Sequence, residues 1–205
     1  MTISLSDAGK RYNRDWIFRH INYTFEKGKS YAIIGPNGSG KSTLLQVLSS
    51  SMMLNEGNIQ YSIDNKQCAT DKVYNHVSIC APYLEVVEEM TLKEFLDFHH
   101  GFKPFLPGIT PDIIITSLGL EKAANKQIRY YSSGMKQRVK LGQCFFSDTS
   151  IVLLDEPCTN LDTDGIVLYQ TLIENYCKDR LVVVSSNDEV EYKFCNNLLS
   201  MMEWK

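Results

Sequence analysis

The sequence predicts a mixed α/β fold built on a central parallel sheet. Three short runs, YAII (31–34), IVLL (151–154) and LVVV (181–184), are almost wholly apolar, as strands covered on both faces must be. Between them lie stretches with helix start and stop signals, so strands and helices alternate along the chain. In order, INYTFE (21–26) alternates apolar and polar residues like a half-exposed antiparallel strand, and KGKS (27–30) turns the chain into YAII. STLLQVLSS (42–50) reads as an apolar helix. TLKEFLDFHH (91–100) opens with Thr91 and Glu94 at capping-box spacing. TPDIIITSL (110–118) opens with a threonine cap and Pro111 at the first helical position, and Gly119 ends it. The simplest architecture is a mixed sheet with a helical insertion.

At 205 residues the chain is long enough for one well-cored α/β domain, with room for a small subdomain. A hydrophobic share of 43% and a charged share of 22% are those of an ordinary globular protein. The net charge of −3 and pI near 5.8 argue against a dedicated nucleic-acid binder, which shows a basic stripe. No apolar run reaches the roughly 18 residues that span a bilayer, and MTISLSDAGKRYN lacks the apolar core of a signal peptide. Cysteines 68, 80, 144, 158, 177 and 195 lie far apart without a CxxC pair, so they read as buried thiols of a reducing cytosol. His99-His100 reads as a surface pair, the Met-Met pairs at 52–53 and 201–202 as packing residues, and DTDG (162–165) as a helix cap.

Two motifs carry chemistry. GPNGSGKST (35–43) fits G-x-x-x-x-G-K-[ST], directly follows a buried strand and opens an apolar helix, the context a phosphate loop requires. In the loop of Gly35, Pro36, Asn37, Gly38, Ser39 and Gly40, the glycines would let backbone N–H groups converge on the β-phosphate, aided by the positive potential of the helix start. Lys41 would reach the β- and γ-phosphates, and Ser42, followed by Thr43, would hold Mg²⁺. In IVLLDEP (151–157), Asp155 emerges at the C-terminal end of a buried strand, where open α/β sheets bind ligands. It suits a direct or water-mediated Mg²⁺ partner of Ser42, and Glu156 is placed to polarise an attacking water.

Together these motifs resemble those of the ATP-binding cassette (ABC) ATPases, and further landmarks follow in that family's order from about residue 2 to 200. YSSGMKQRVKLGQC (131–144) stands where the family has its LSGGQ signature, and TNLD (159–162) where it has its D-loop. GKRYN (9–13) resembles the segment whose aromatic ring stacks on adenine, which implies Tyr12 as the stacker with Trp16 as a rival. The resemblance further implies that Ser132, Ser133 and Gly134, at a helix start, grip the γ-phosphate of an ATP held by a second subunit.

Three departures stand out. Ser133 replaces a signature glycine and Met135 the signature glutamine. The glutamine of the glutamine loop would fall at Ala81 or Pro82, neither of which can ligate a metal, with Glu85 as the nearby substitute. Asn187 stands in place of the switch histidine. Its amide can donate to a phosphate oxygen but cannot become a cation; alternatively it caps the following helix, DEVEYKF (188–194).

The resemblance implies a P-loop NTPase of RecA-like core with an antiparallel β-subdomain and a helical subdomain at about 85–145, in one ABC ATPase domain over residues 1–205. It implies ATP and Mg²⁺ as ligands, and a homodimer or heterodimer of ABC subunits sandwiching two ATP molecules. It also implies a separate transmembrane permease subunit and a cytoplasmic, peripheral place on the inner face of the cell membrane. In length the chain resembles the compact ATPase subunits of bacterial exporters. Two alternatives stay open: a soluble ABC ATPase of a non-transport assembly, and a regulatory subunit that binds nucleotide but scarcely hydrolyses it.

Overall fold

The computed structural model describes residues 1–64 and 66–205. Two compact units form: residues 1–79, 150–156 and 179–205, and residues 80–149 and 157–178.

The first unit holds a five-stranded sheet. β7 (Ile151–Asp155) runs parallel to β8 (Leu181–Ser185), β8 to β3 (Ser30–Ile34), and β3 to β9 (Asn197–Ser200); β6 (Val77–Cys80) flanks β7. Every residue of β7 and β8 is buried, which is why these strands read as unbroken apolar runs. α1 (Lys41–Leu48) leaves β3 through the phosphate loop and buries Leu44, Leu45, Val47 and Leu48. Eight residues are too few for a helix to persist alone. Burial of these side chains, each contributing about 1.5–3 kcal/mol, sustains it. The N-terminal sheet is antiparallel, in the order β2-β1-β4-β5, from β1 (Thr2–Tyr12), β2 (Asp15–Glu26), β4 (Glu56–Ile63) and β5 (Lys66–Cys68). INYTFE forms the end of β2, with Ile21 and Phe25 buried and Asn22, Thr24 and Glu26 exposed. Phe25 meets Tyr31 edge-on at 5.0 Å, tying the two sheets together. α6 (Glu189–Tyr192) follows β8.

The second unit is helical: α2 (Leu92–Phe102), α3 (Pro111–Ser117), α4 (Ser133–Phe146) and α5 (Thr163–Tyr176). α2 opens with the predicted capping box, in which Thr91 and Glu94 exchange bonds with each other's backbone N–H. α3 has Thr110 as its cap and Pro111 at its first turn. α4 packs on α5 through Phe145 against Tyr169 and Phe146 against Tyr176. Asp162 caps α5 by accepting from the Gly165 N–H at 2.8 Å.

Three side-chain expectations need correction. His99 is not a surface residue: its Nε2 bonds the Ser147 hydroxyl at 2.9 Å, and its ring stacks on Phe95 and Phe105. Burial there pushes its pKa down to about 4, with Lys103 and His100 lowering it further. Met53 and Met202 do not pack but face solvent, because each follows a buried or half-buried methionine whose side chain takes the inner position. Of the cysteines, only 80, 144 and 177 are buried; 68, 158 and 195 are half-buried. No helix among the described residues is long and apolar enough to cross a membrane.

Candidate nucleotide-binding site

The phosphate loop is closed by a turn, Ser39 N–H to Pro36 O at 3.0 Å, and enters α1 at Gly40. Gly40 has φ 100°, and a Cβ there would stand 2.4 Å from Ile17 Cγ2, so no other residue fits without distorting the loop. Lys41 is buried, and its ammonium donates to the carbonyls of Gly35 at 2.8 Å and Pro36 at 3.4 Å. The ammonium is thus met by two main-chain carbonyls of the loop in charge-assisted hydrogen bonds. A cleft of about 360 Å³ opens on this loop, lined by Asn37, Gly38, Gly40, Lys41, Ser42 and Thr43. Tyr12, Ile17 and Glu156 form its other walls. Tyr12 is about half exposed, with its hydroxyl on Met52 Sδ at 3.3 Å. Trp16 is occupied otherwise: the guanidinium groups of Arg19 and Arg11 lie over its ring at 4.4 and 5.4 Å. Ile17 escaped the sequence reading, because one apolar residue on a strand looks like any core residue.

Asp155 ends β7, 2% exposed, in register with Ser185 of β8. The Ser185 hydroxyl is buried and finds no partner among the described residues. Ser42 and Asp155 offer a hydroxyl and a carboxylate, hard oxygen donors that fit Mg²⁺, which takes few protein ligands and completes its shell with phosphate and water. Glu156 leaves the strand with φ 43°, its N–H donating to Ser185 O at 2.9 Å. A carboxylate residue in the left-handed region carries backbone strain, and this turn aims Glu156 into the cleft.

Asn187 does not cap α6. Asp188 does, its carboxylate accepting the Val190 N–H at 2.9 Å. Asn187 instead reaches the phosphate loop: its Oδ1 accepts from Gly35 N–H at 3.3 Å, and its Nδ2 donates to Asn37 Oδ1 at 3.2 Å. The capping alternative therefore fails, because the shorter path to the first turn's N–H groups belongs to the next residue.

In the second unit, Ser132 caps α4, its hydroxyl accepting from Met135 N–H at 3.3 Å. Ser133 is the first helical residue, a position that tolerates a side chain. Gly134 has no such freedom: a Cβ would stand 2.9 Å from Asn160 O. These three residues line a hollow of about 600 Å³ with Arg138, Asn160 and Asp162. Arg138 bonds Asp162 at 2.9 Å. The Gly165 N–H, and then Arg138, hold the Asp162 carboxyl below its usual pKa. Gln137, which the sequence reading passed over, is buried and donates to Pro157 O at 2.7 Å, fixing the segment that follows Glu156. Ala81 is buried, while Pro82 and Glu85 are exposed.

Comparison with known proteins bears on the family and the fold. The family model described as ABC transporter matches residues 18–159. The chain is 29% identical to the cytochrome c biogenesis ATP-binding export protein CcmA of Reclinomonas americana, over 86% of this chain and 81% of that protein. It is also 29% identical to the ABC transporter ATP-binding protein YybJ of Bacillus subtilis (strain 168), over 97% of this chain and 92% of that one. The lantibiotic transport ATP-binding protein SrtF of Streptococcus pyogenes is 27% identical over 93% of this chain and 82% of its own length. Among structures, a dimeric ATP-binding cassette in a post-hydrolysis state, bound to ADP and Pi, superposes with a TM-score of 0.81 at 21% identity, covering 97% of this chain and 93% of that one. With its P-loop NTPase fold, this chain belongs to the ABC transporter family as an ABC ATPase.

Proposed function

We propose that the chain binds and hydrolyses ATP as the nucleotide-binding subunit of an ABC transporter, driving a separate membrane subunit through ATP-dependent dimerisation. One observation carries the reading: Tyr12, the adjacent Lys41 and Ser42, and Glu156, drawn from three distant parts of the sequence, line one cleft on the phosphate loop. In this reading Tyr12 stacks on adenine, the loop from Gly35 to Gly40 binds the phosphates through backbone N–H groups, and Lys41 transfers its hydrogen bonds from the loop carbonyls to phosphate oxygens. Ser42 and Asp155 hold Mg²⁺, which when bound offsets phosphate charge. Glu156 orients the attacking water and accepts its proton. Ser132, Ser133 and Gly134 serve the nucleotide of a second copy or a homologous subunit. CcmA and SrtF are named for export and transport, which favours transport over the non-transport alternative. Asn187, uncharged at every working pH, offers less transition-state stabilisation than a histidine, which supports slow basal turnover.

Glu156→Gln tests the reading. Single-turnover cleavage of Mg·ATP should slow by about 10²–10⁴-fold while ATP still binds. Wild-type cleavage by the variant would assign water activation to another group.

A further inference from the structure

The two hydrogen bonds of Asn187 do more than place it near a phosphate. Its oxygen must face Gly35, because a backbone N–H can be met only by an acceptor, so its nitrogen necessarily faces Asn37 Oδ1. One planar amide thus bridges the first and third residues of the phosphate loop, from the end of a strand 150 or more residues away in sequence. Gly35 is held on its other side as well, since its carbonyl accepts from Lys41. Both contacts are made to the loop itself.

We propose that Asn187 is a positioning residue that clips the phosphate loop into its binding shape through Gly35 and Asn37, and so sets affinity for nucleoside diphosphate as much as for triphosphate. This rests on the ATP-binding reading above, yet it predicts something that reading does not. A residue that only senses the γ-phosphate affects ATP alone; a residue that shapes the loop affects every nucleotide whose β-phosphate the loop holds. Both bonds are long and solvent-exposed, so the effect is modest.

Titration calorimetry of Mg·ADP and Mg·ATP should be run on wild type, Asn187→Ala, Asn37→Ala and the double variant, with circular dichroism melting to establish that each is folded. Asn187→Ala should weaken both nucleotides by a similar factor, about 3- to 10-fold. Asn37→Ala, which removes one of the two bonds, should lose less. The double variant should bind no worse than Asn187→Ala, since both changes break the same bridge. Undiminished ADP affinity in Asn187→Ala, or fully additive losses in the double variant, would overturn the clip. Weakening confined to ATP would also overturn it while leaving a γ-phosphate contact in place. A wild-type chain that bound neither nucleotide would overturn the ATP-binding reading itself.

Discussion

At the scale of the residue, position 187 separates two kinds of information. That an asparagine stands where a histidine is expected is legible from motif order, because the run LVVVSSND ends a buried strand and fixes the place. What the asparagine touches is not legible: its partners lie 150 and 152 residues away, and no periodicity encodes such a contact. Local chemistry misled as well, since Asn and Asp are about equally good caps and the two are adjacent here. The cap belongs to Asp188. Asp188→Ala should therefore lower unfolding free energy by about 1 kcal/mol, while Asn187→Ala, at an exposed site, should change it by less than about 0.5 kcal/mol. Denaturant melting of the two variants checks this, and the reverse order of losses would restore Asn187 as the cap.

At the scale of the element, strands with a uniform or regularly alternating burial and helices with a clear cap were readable, and elements with interrupted patterns were not. β7 and β8 are buried at every position. The caps at Thr91 and Thr110 follow from spacing alone. β1, by contrast, hid from the sequence because its pairing with β2 slips register between Leu5 and Ala8, where Asp7 takes φ 50°. Each slip moves the following side chains to the other face. β5, three residues long, is too short for any pattern. The tail of α2 carries a measurable consequence. His99 is neutral in the fold because burial among Phe95, Phe105 and Ser147 holds its pKa at about 4, while in the unfolded chain it titrates near 6.5. A depressed folded value means that its contribution is fully present above about pH 6.5 and is lost as pH falls toward 4. The urea midpoint should accordingly drop between pH 7 and pH 5 in wild type and drop less in His99→Leu. Equal slopes would show that His99 titrates alike in both states.

At the scale of the whole molecule, family and fold were legible because the motifs recur in a fixed order along the chain, which no single motif conveys. The signature segment shows how such a landmark survives change. Ser133 is accepted at the first turn of α4, whereas Gly134 is held to glycine by Asn160 O at 2.9 Å from a would-be Cβ. The cleft on the phosphate loop was legible in its parts but not as an enclosure. Ile17 beneath Gly40 and the left-handed turn at Glu156 appear only in three dimensions. Nucleotide binding and hydrolysis both require that cleft to take a nucleotide through Lys41. The direct test is equilibrium titration of wild type and Lys41→Ala with a fluorescent Mg·ATP analogue. Loss of the charge-assisted bonds should weaken binding by about 10- to 100-fold with the fold intact by melting, whereas unchanged affinity would contradict the assignment of residues 35–43 as the phosphate site.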